Sequence, residues 1–189
     1  MATEMDIDDL PKPKELFKSA EKGDASLFKS LTGDQLNNVR SLRNDDGRSL
    51  LHVAAASGQS EVVRIISDVD PSVSGINSKD EEGWAPIHSA ASCGHEEIVE
   101  ILIEKASTGN AELCELLIEE GAEIDATDRA GQTPLMSAVI CDNREVALLL
   151  IRHGASVDVQ DKEGYTVLGR ASDDLRPILI DVAKAVLEA

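Results

Sequence analysis

The chain has 189 residues with a formal net charge of −18, and its aromatic residues are two Phe, one Trp and one Tyr. So acidic a chain repels phosphate backbones and anionic lipid surfaces, so we expect neither a nucleic-acid nor a membrane partner. Without an 18-residue apolar run, a basic signal sequence or an Arg-rich leader, we expect a protein of the cytoplasm and nucleus, and we expect it to be a monomer.

The chain begins with an acidic stretch, residues 1–11, which we expect to be a disordered arm. Charge is uneven in the rest of the sequence. Residues 80–128 contain 14 acidic residues and one base, Lys105. This field predicts a protein partner with a basic surface, although solubility alone explains many of these charges.

Four similar runs follow, each starting with a turn that contains Gly47, Gly83, Gly131 or Gly164, at spacings of 36, 48 and 33 residues. The turn precedes a short helix that opens on "APIH" or "TPLM", where proline fits the first turn. A second helix such as "EEIVEILIEK" places apolar residues on one face and glutamates on the other. Because one such unit cannot bury its apolar face alone, the pattern predicts a stack of units.

The spacing of 48 contains a duplication: residues 97–105 read "EIVEILIEK" and residues 112–120 read "ELCELLIEE". Relative to a regular array, a segment of 18 or 51 residues is missing, because the turn and first helix before the second copy are absent. One long helix would join the copies, but Gly109 disfavours it, so we expect a break at 106–109. We therefore expect an array interrupted near residues 105–110, with half-arrays at 12–105 and 106–189.

These runs resemble the ankyrin repeat, in "GWAPIHSAASCGHEEIVEILIEK" and in "GAEIDATDRAGQTPLMSAVICDNREVALLLIRHGASVDVQD". The resemblance covers roughly residues 12–189, with "PKELFKSAEKGDASLFKSL" as an N-terminal cap and "GYTVLGRASDDLRPILIDVAKAVLEA" as a C-terminal one. It implies an all-α ankyrin-repeat solenoid in which each unit is a β-turn followed by a pair of helices.

The residues that could carry chemistry have structural explanations. His52 and His88 fall where an imidazole is expected to bond the turns of adjacent units, and Cys93, Cys114 and Cys141 are expected to be buried, inert thiols. No nucleophile–base motif or metal-ligand spacing is present. We therefore expect no enzyme activity, no metal and no cofactor.

The resemblance also indicates where a partner binds, on the rim formed by the turns. Trp84 and Tyr165 follow the turn glycines, and large flat side chains there are either binding anchors or packing between neighbouring turns. The expected partner-binding residues are Arg48, Glu81, Glu82, Trp84, Arg129, Gln132, Lys162, Glu163 and Tyr165.

A closer resemblance is to the gankyrin family of ankyrin proteins, in "DEEGWAPIHSAASCGHEEIVEILIEK" and, for plant members, in "PKPKELFKSAEKGDASLFKSL" and the C-terminal end. That resemblance implies a chaperone for assembly of the proteasome regulatory particle, with a proteasomal ATPase subunit as partner. The alternatives are another ankyrin adaptor, such as a kinase-inhibitor type, or a shortened isoform with reduced binding.

Overall fold

The computed structural model describes residues 10–69, 73–111 and 124–187. Those residues form helices joined by short turns, and the described part contains no β-strand beyond one isolated bridge between Gln160 and Thr166. The helices are α1 (Pro13–Lys22), α2 (Ala25–Ser30), α3 (Gly33–Val39), α4 (Leu50–Ala56), α5 (Ser60–Val69), α6 (Val73–Ile76), α7 (Pro86–Cys93), α8 (Glu96–Ala111), α9 (Pro134–Ile140), α10 (Arg144–Arg152), α11 (Val167–Arg170) and α12 (Leu175–Leu187).

The helices form two layers that follow chain order. The first helices of the units, α1, α4, α7, α9 and α11, pack side by side in one layer, and α2, α5, α8, α10 and α12 pack likewise in the other. We number the units by their first helices: unit 1 contains α4 and α5, unit 2 contains α7 and α8, and unit 3 contains α9 and α10. One hydrophobic core runs between the layers from Leu16 to Leu179, which confirms the expected all-α stack of helix pairs.

Local sequence sets where the first helices begin. The hydroxyl groups of Ser49 and Thr133 accept the backbone N–H groups of the residues three positions later, which satisfies donors that a helix start leaves unpaired. Pro86 and Pro134 occupy the first turns of α7 and α9, where a missing N–H has little cost. Turns of one kind followed by first helices of 7 or 8 residues give units that can stack.

The duplicated segment differs from our expectation. Helix α8 continues to Ala111, so the break expected at 106–109 is wrong and the single-helix alternative holds as far as the described residues extend. The first copy fills the second-helix position of unit 2, with Ile98, Val99 and Leu102 at most 1% exposed. A glycine costs roughly 1 kcal/mol in a helix interior, but it lowers the propensity of a helix that is already nucleated and does not by itself end it. The second copy, residues 112–120, lies outside the described residues.

The stack is not interrupted between units 2 and 3. Helix α7 packs on α9 and α8 packs on α10, and the backbone N–H of Arg129 donates to the carbonyl of Glu82 at 2.9 Å. The interruption expected near residues 105–110 is therefore corrected for the described parts of both units. The physical reason is that doubling the length of a connecting segment costs only about 0.6 kcal/mol in closure entropy, which is small beside a buried interface between units.

The segment boundaries that we proposed from the sequence can be located in the structure. Most of the acidic arm proposed for residues 1–11 lies outside the described residues. The proposed boundary between residues 105 and 106 lies inside α8. Residues from both proposed half-arrays, such as Leu51 and Leu150, belong to the same core cluster.

A continuous stack predicts cooperative unfolding, because the stability of such arrays depends on the interfaces between neighbours. We expect urea denaturation to give one transition with coincident midpoints for Trp84 fluorescence and far-ultraviolet circular dichroism. Trp84 lies on the N-terminal side of the duplicated segment, whereas circular dichroism reports on both sides. Two separated transitions would contradict the continuous interface between α7 and α9.

Candidate functional site

Each unit begins with a turn that is built around one acidic or amide side chain. Asn44, Asp80, Asp128 and Asp161 each use one side-chain oxygen to accept two backbone N–H groups, those of the residues two and four positions later, at 2.8–3.1 Å. These bonds satisfy turn donors that have no helical partner. The four turns, together with the first helices below them, make one side of the stack, which we call the turn face.

Glycine is required in the turns for two reasons that Gly83 shows together. Its φ is +83°, in the left-handed region that side chains disfavour, and a Cβ there would lie 2.9 Å from the backbone nitrogen of Arg129. The neighbouring turn can therefore approach closely only because the side chain is absent.

Backbone hydrogen bonds join each turn to the next. Glu81 N–H donates to Asp46 carbonyl at 3.3 Å, and Lys162 N–H donates to Ala130 carbonyl at 2.9 Å. The bond from Arg129 to Glu82 described above completes this ladder between units 2 and 3. Four predicted binding residues therefore hold the turns together through their backbones: Glu81, Glu82, Arg129 and Lys162. Their side chains are exposed on the turn face.

Two predicted binding residues contact the carboxylate of the following turn. Arg48 Nε lies 3.3 Å from Asp80 Oδ2, and Trp84 Nε1 donates to Asp128 Oδ2 at 3.0 Å. The half-buried indole also stacks on His88, with ring centroids 6.1 Å apart. Trp84 therefore packs between neighbouring turns, which is one of the two roles considered for it.

The last turn has a different arrangement. Gln132 is half-buried and occupies the position that Arg48 and Trp84 have in the preceding turns. The carboxylate of the last turn, Asp161, is bound by Arg170 instead, whose Nε lies 2.8 Å from Asp161 Oδ2. Burial acts to raise the pKa of Asp161, but hydrogen bonds from Tyr165 and Arg170 outweigh it and lower that pKa. The Arg170 guanidinium also lies 4.4 Å above the Tyr165 ring and pairs with Glu163 at 2.6 Å. Tyr165 is 49% exposed, so this cluster presents an aromatic surface.

His52 and His88 bond adjacent turns, as the sequence predicts. His52 Nε2 lies 2.7 Å from Trp84 carbonyl, and His88 Nε2 lies 3.3 Å from Gln132 carbonyl. A carbonyl only accepts, so each Nε2 carries the proton, and His52 Nδ1 is left to accept the Ser49 N–H at 3.2 Å. Burial lowers the pKa of His52 to about 4 and also lowers the pKa of His88. Both rings are neutral structural bridges.

A second ladder, which the sequence analysis missed, joins the other ends of the first helices. Gln59 Nε2 donates to Glu21 carbonyl at 3.1 Å, and His95 Nε2 lies 3.1 Å from Ala56 carbonyl. Asn143 Nδ2 donates to Ala91 carbonyl at 2.8 Å. The three side chains precede α5, α8 and α10, and each reaches back to the preceding unit. Because three residue types fill one position, no repeated letter marks it in the sequence.

The N-terminal end of the turn face contains a groove that sequence reasoning also missed. Its apolar surface comes from Phe17 on α1 and from Val53 and Ala56 on α4. Four cations border it: Lys14, Lys18, Arg43 and Arg48. Two acids, Glu21 and Asp45, lie at the same groove. Only the stacking of the cap on unit 1 brings these residues together, which a linear pattern does not show.

The cysteines differ from expectation. Cys93 and Cys141 are exposed, which corrects the prediction of buried thiols for both. They stand where α7 and α9 end. Cys114 lies outside the described residues. Within the described ranges, no three His, Cys, Asp or Glu side chains form a group that could hold a metal ion.

Comparison with known proteins identifies the repeat. A family model described as ankyrin repeats, three copies, matches residues 16–108 and again residues 106–188. Comparison with curated proteins finds no match. Among the described helices, none combines the length and the apolar character that crossing a membrane requires.

The histidine bridges predict a pH dependence of stability. Above pH 6.5 His52 is neutral in both the folded and the unfolded chain. Between pH 6.5 and about 4 the imidazole is protonated in the unfolded chain but stays neutral in the folded chain. His52 should therefore remove about 3 kcal/mol of stability as the pH falls through this window, and His88 acts in the same direction. We expect His52→Gln to reduce the loss measured by urea denaturation at pH 7 and pH 4.5. The exposed His153→Gln is the control, and equal losses in both variants would contradict the bridge.

The turn carboxylates predict a second effect. Asp128→Ala removes the acceptor of two turn N–H groups and of Trp84 Nε1, so we expect the free energy of unfolding to fall by roughly 2–4 kcal/mol. The exposed Asp158→Ala should change it by less than about 0.5 kcal/mol. Similar values for both variants in urea denaturation would show that the Asp128 side chain does not hold the turns.

Proposed function

Because the chain belongs to the ankyrin-repeat family and so forms a protein–protein interaction domain, we propose that it is an assembly chaperone of the proteasome regulatory particle. In this proposal it is a monomer of the cytoplasm and nucleus that binds one proteasomal ATPase subunit on the turn face. By sequence it resembles gankyrin, 26S proteasome non-ATPase regulatory subunit 10, through residues 80–105.

The groove between α1 and α4 is the observation that carries the proposal. It combines a half-buried apolar side chain, Phe17, with surrounding cations, of which Lys14 and Lys18 are exposed. Along the same face, Glu81 and Glu82 project from the next turn and are exposed. A surface with cations at one end and acids beyond fits a folded partner domain whose charges are arranged in the opposite order.

The proposed partner surface therefore has three parts: basic side chains, an acidic patch and an apolar side chain. Basic side chains of the ATPase subunit would face Glu81, Glu82 and Glu163, and an acidic patch with an apolar side chain would enter the groove. Tyr165 would add an exposed aromatic anchor at the C-terminal end.

Catalysis has no place in this proposal, because three buried side chains that could transfer a proton, His52, His88 and Asp161, are already engaged. His52 and His88 are buried and bond carbonyl groups of neighbouring turns. Asp161 is held by Arg170 and by two backbone N–H groups. A protein-binding scaffold without a cofactor uses all these groups for structure alone.

Direct binding tests the proposal. We expect one of the purified C-terminal domains of the proteasomal ATPase subunits to bind the chain, with an affinity that falls steeply as salt rises. Lys18→Glu reverses a charge at the groove and should weaken that binding by about tenfold or more, because facing like charges repel. Arg152→Glu makes the same charge change at the end of α10 and should leave the affinity unchanged.

The outcomes separate the alternatives. Failure of every ATPase domain to bind, with binding to a kinase instead, would favour another ankyrin adaptor. If the chain melts cooperatively but binds neither an ATPase domain nor a kinase, the result would favour a shortened form with reduced binding. Equal effects of Lys18→Glu and Arg152→Glu would remove the groove from the interface.

A further inference from the structure

A small cavity lies beside unit 1, between the start of α4, the second half of α5 and the short helix α6. Its volume is about 210 Å³, which is below the roughly 300–1,000 Å³ of pockets for drug-sized molecules. Three apolar side chains line it, Leu51, Ile66 and Ile76, and each of them is at most 9% exposed. The cavity therefore offers an apolar wall to a small ligand.

Four serines also line the cavity, and three of them have hydrogen-bond partners within the protein. Ser41 and Ser67 donate to backbone carbonyls at 2.9 and 2.7 Å. Ser49 Oγ lies 2.8 Å from His52 Nδ1. The fourth, Ser78, has a buried Oγ that meets no hydrogen-bond partner among the described residues. Because a buried hydroxyl without a partner costs free energy, Ser78 gains most from a polar ligand group placed beside it.

A cation stands at the same cavity. Arg43 is exposed, and its Nη1 donates to the carbonyls of Arg40 and Leu42 at 3.0 and 2.9 Å. These bonds hold the guanidinium in place, and its Nε and Nη2 groups take no part in them. Arg40 lines the cavity as well and adds a second positive charge. A guanidinium held in this way suits a carboxylate, which it binds through charge-assisted hydrogen bonds.

We propose that this cavity binds a small carboxylic acid with an apolar body. The body contacts Leu51, Ile66 and Ile76, while the carboxylate pairs with Arg43 and accepts a hydrogen bond from Ser78 Oγ. The buried apolar wall favours this class over other small anions, because burial of apolar surface adds to the attraction between the charges. Inorganic phosphate has the charge but would leave the wall without a contact.

Matched acids and amides test the class of ligand. Benzoate, phenylacetate and 3-phenylpropanoate each join an apolar ring to a carboxylate, and the corresponding amides have the same shape without the charge. Titration of the full chain, followed by methyl NMR, should give saturable shifts at Leu51, Ile66 and Ile76 with at least one acid. We expect a Kd of roughly 0.1–1 mM for so small a ligand, and binding at least about tenfold weaker for its amide and for inorganic phosphate.

Removal of a hydroxyl tests the role of Ser78. Ser78→Ala should weaken binding of the acid by about fivefold or more without lowering the melting temperature, because the lost group has no partner among the described residues. Ser89→Ala is the matched control. It removes another buried hydroxyl that meets no partner in the described part of the chain, but Ser89 lies on α7 and outside the cavity. This control should leave the affinity unchanged.

Removal of the cation tests the role of Arg43. Arg43→Met should weaken binding of the acid at least about tenfold but change binding of the amide little, because only the acid carries the charge that a guanidinium recognises. Arg152→Met makes the same change on α10 and should alter neither affinity. Melting curves of both variants check that the fold is retained.

Three results would overturn the proposal. One is the absence of saturable methyl shifts with all three acids. Another is an affinity for the amide or for inorganic phosphate that equals the affinity for the acid. The third is an unchanged affinity in both Ser78→Ala and Arg43→Met. Because Arg43 also lines the groove, a partner protein is left out of every measurement, so the outcome is independent of the function proposed above.

Discussion

The hydrogen bond from a neutral, buried imidazole to the carbonyl of the next turn is the interaction on which the stack depends. The turns are irregular backbone, and irregular backbone can be buried only when its polar groups find partners. His52 supplies one partner from the first helix below, while Asp80 satisfies donors within the turn. The turns of units 2 and 3 are therefore fixed from two directions, because His88 and Asp128 act in the same way at the second of them.

This arrangement separates the groups that hold the turns together from the side chains that stay exposed on the turn face. Arg129 contributes its backbone N–H to the ladder but leaves its side chain exposed. Arg48 and Trp84 are exceptions among the predicted binding residues, because each half-buried side chain contacts the carboxylate of the following turn. The turn face thus varies its charge from the groove at Lys14 to the acids at Glu82 without altering the contacts beneath it.

Sequence reasoning was reliable where one residue type has one physical role. The turn glycines, Pro86 and Pro134 at helix starts, and the bridges of His52 and His88 all follow from such roles. It was wrong about the break at 106–109 because one glycine lowers helix propensity without ending a helix that is already nucleated and packed on its neighbours. The groove at Phe17 and the ladder through Asn143 were missed because no shared residue type or fixed spacing marks either of them.

The duplicated segment also affects the order in which the stack assembles. Corresponding residues of neighbouring units are separated by 33 or 36 positions elsewhere, but by 48 between units 2 and 3. Contacts between residues that are distant in sequence form later, because more chain must be ordered before they contribute. Two nuclei, one around α4 and α7 and one around α9 and α11, are therefore expected to form early in folding. The packing of α7 on α9 would join them as the closing step, even though the native interface between them is continuous.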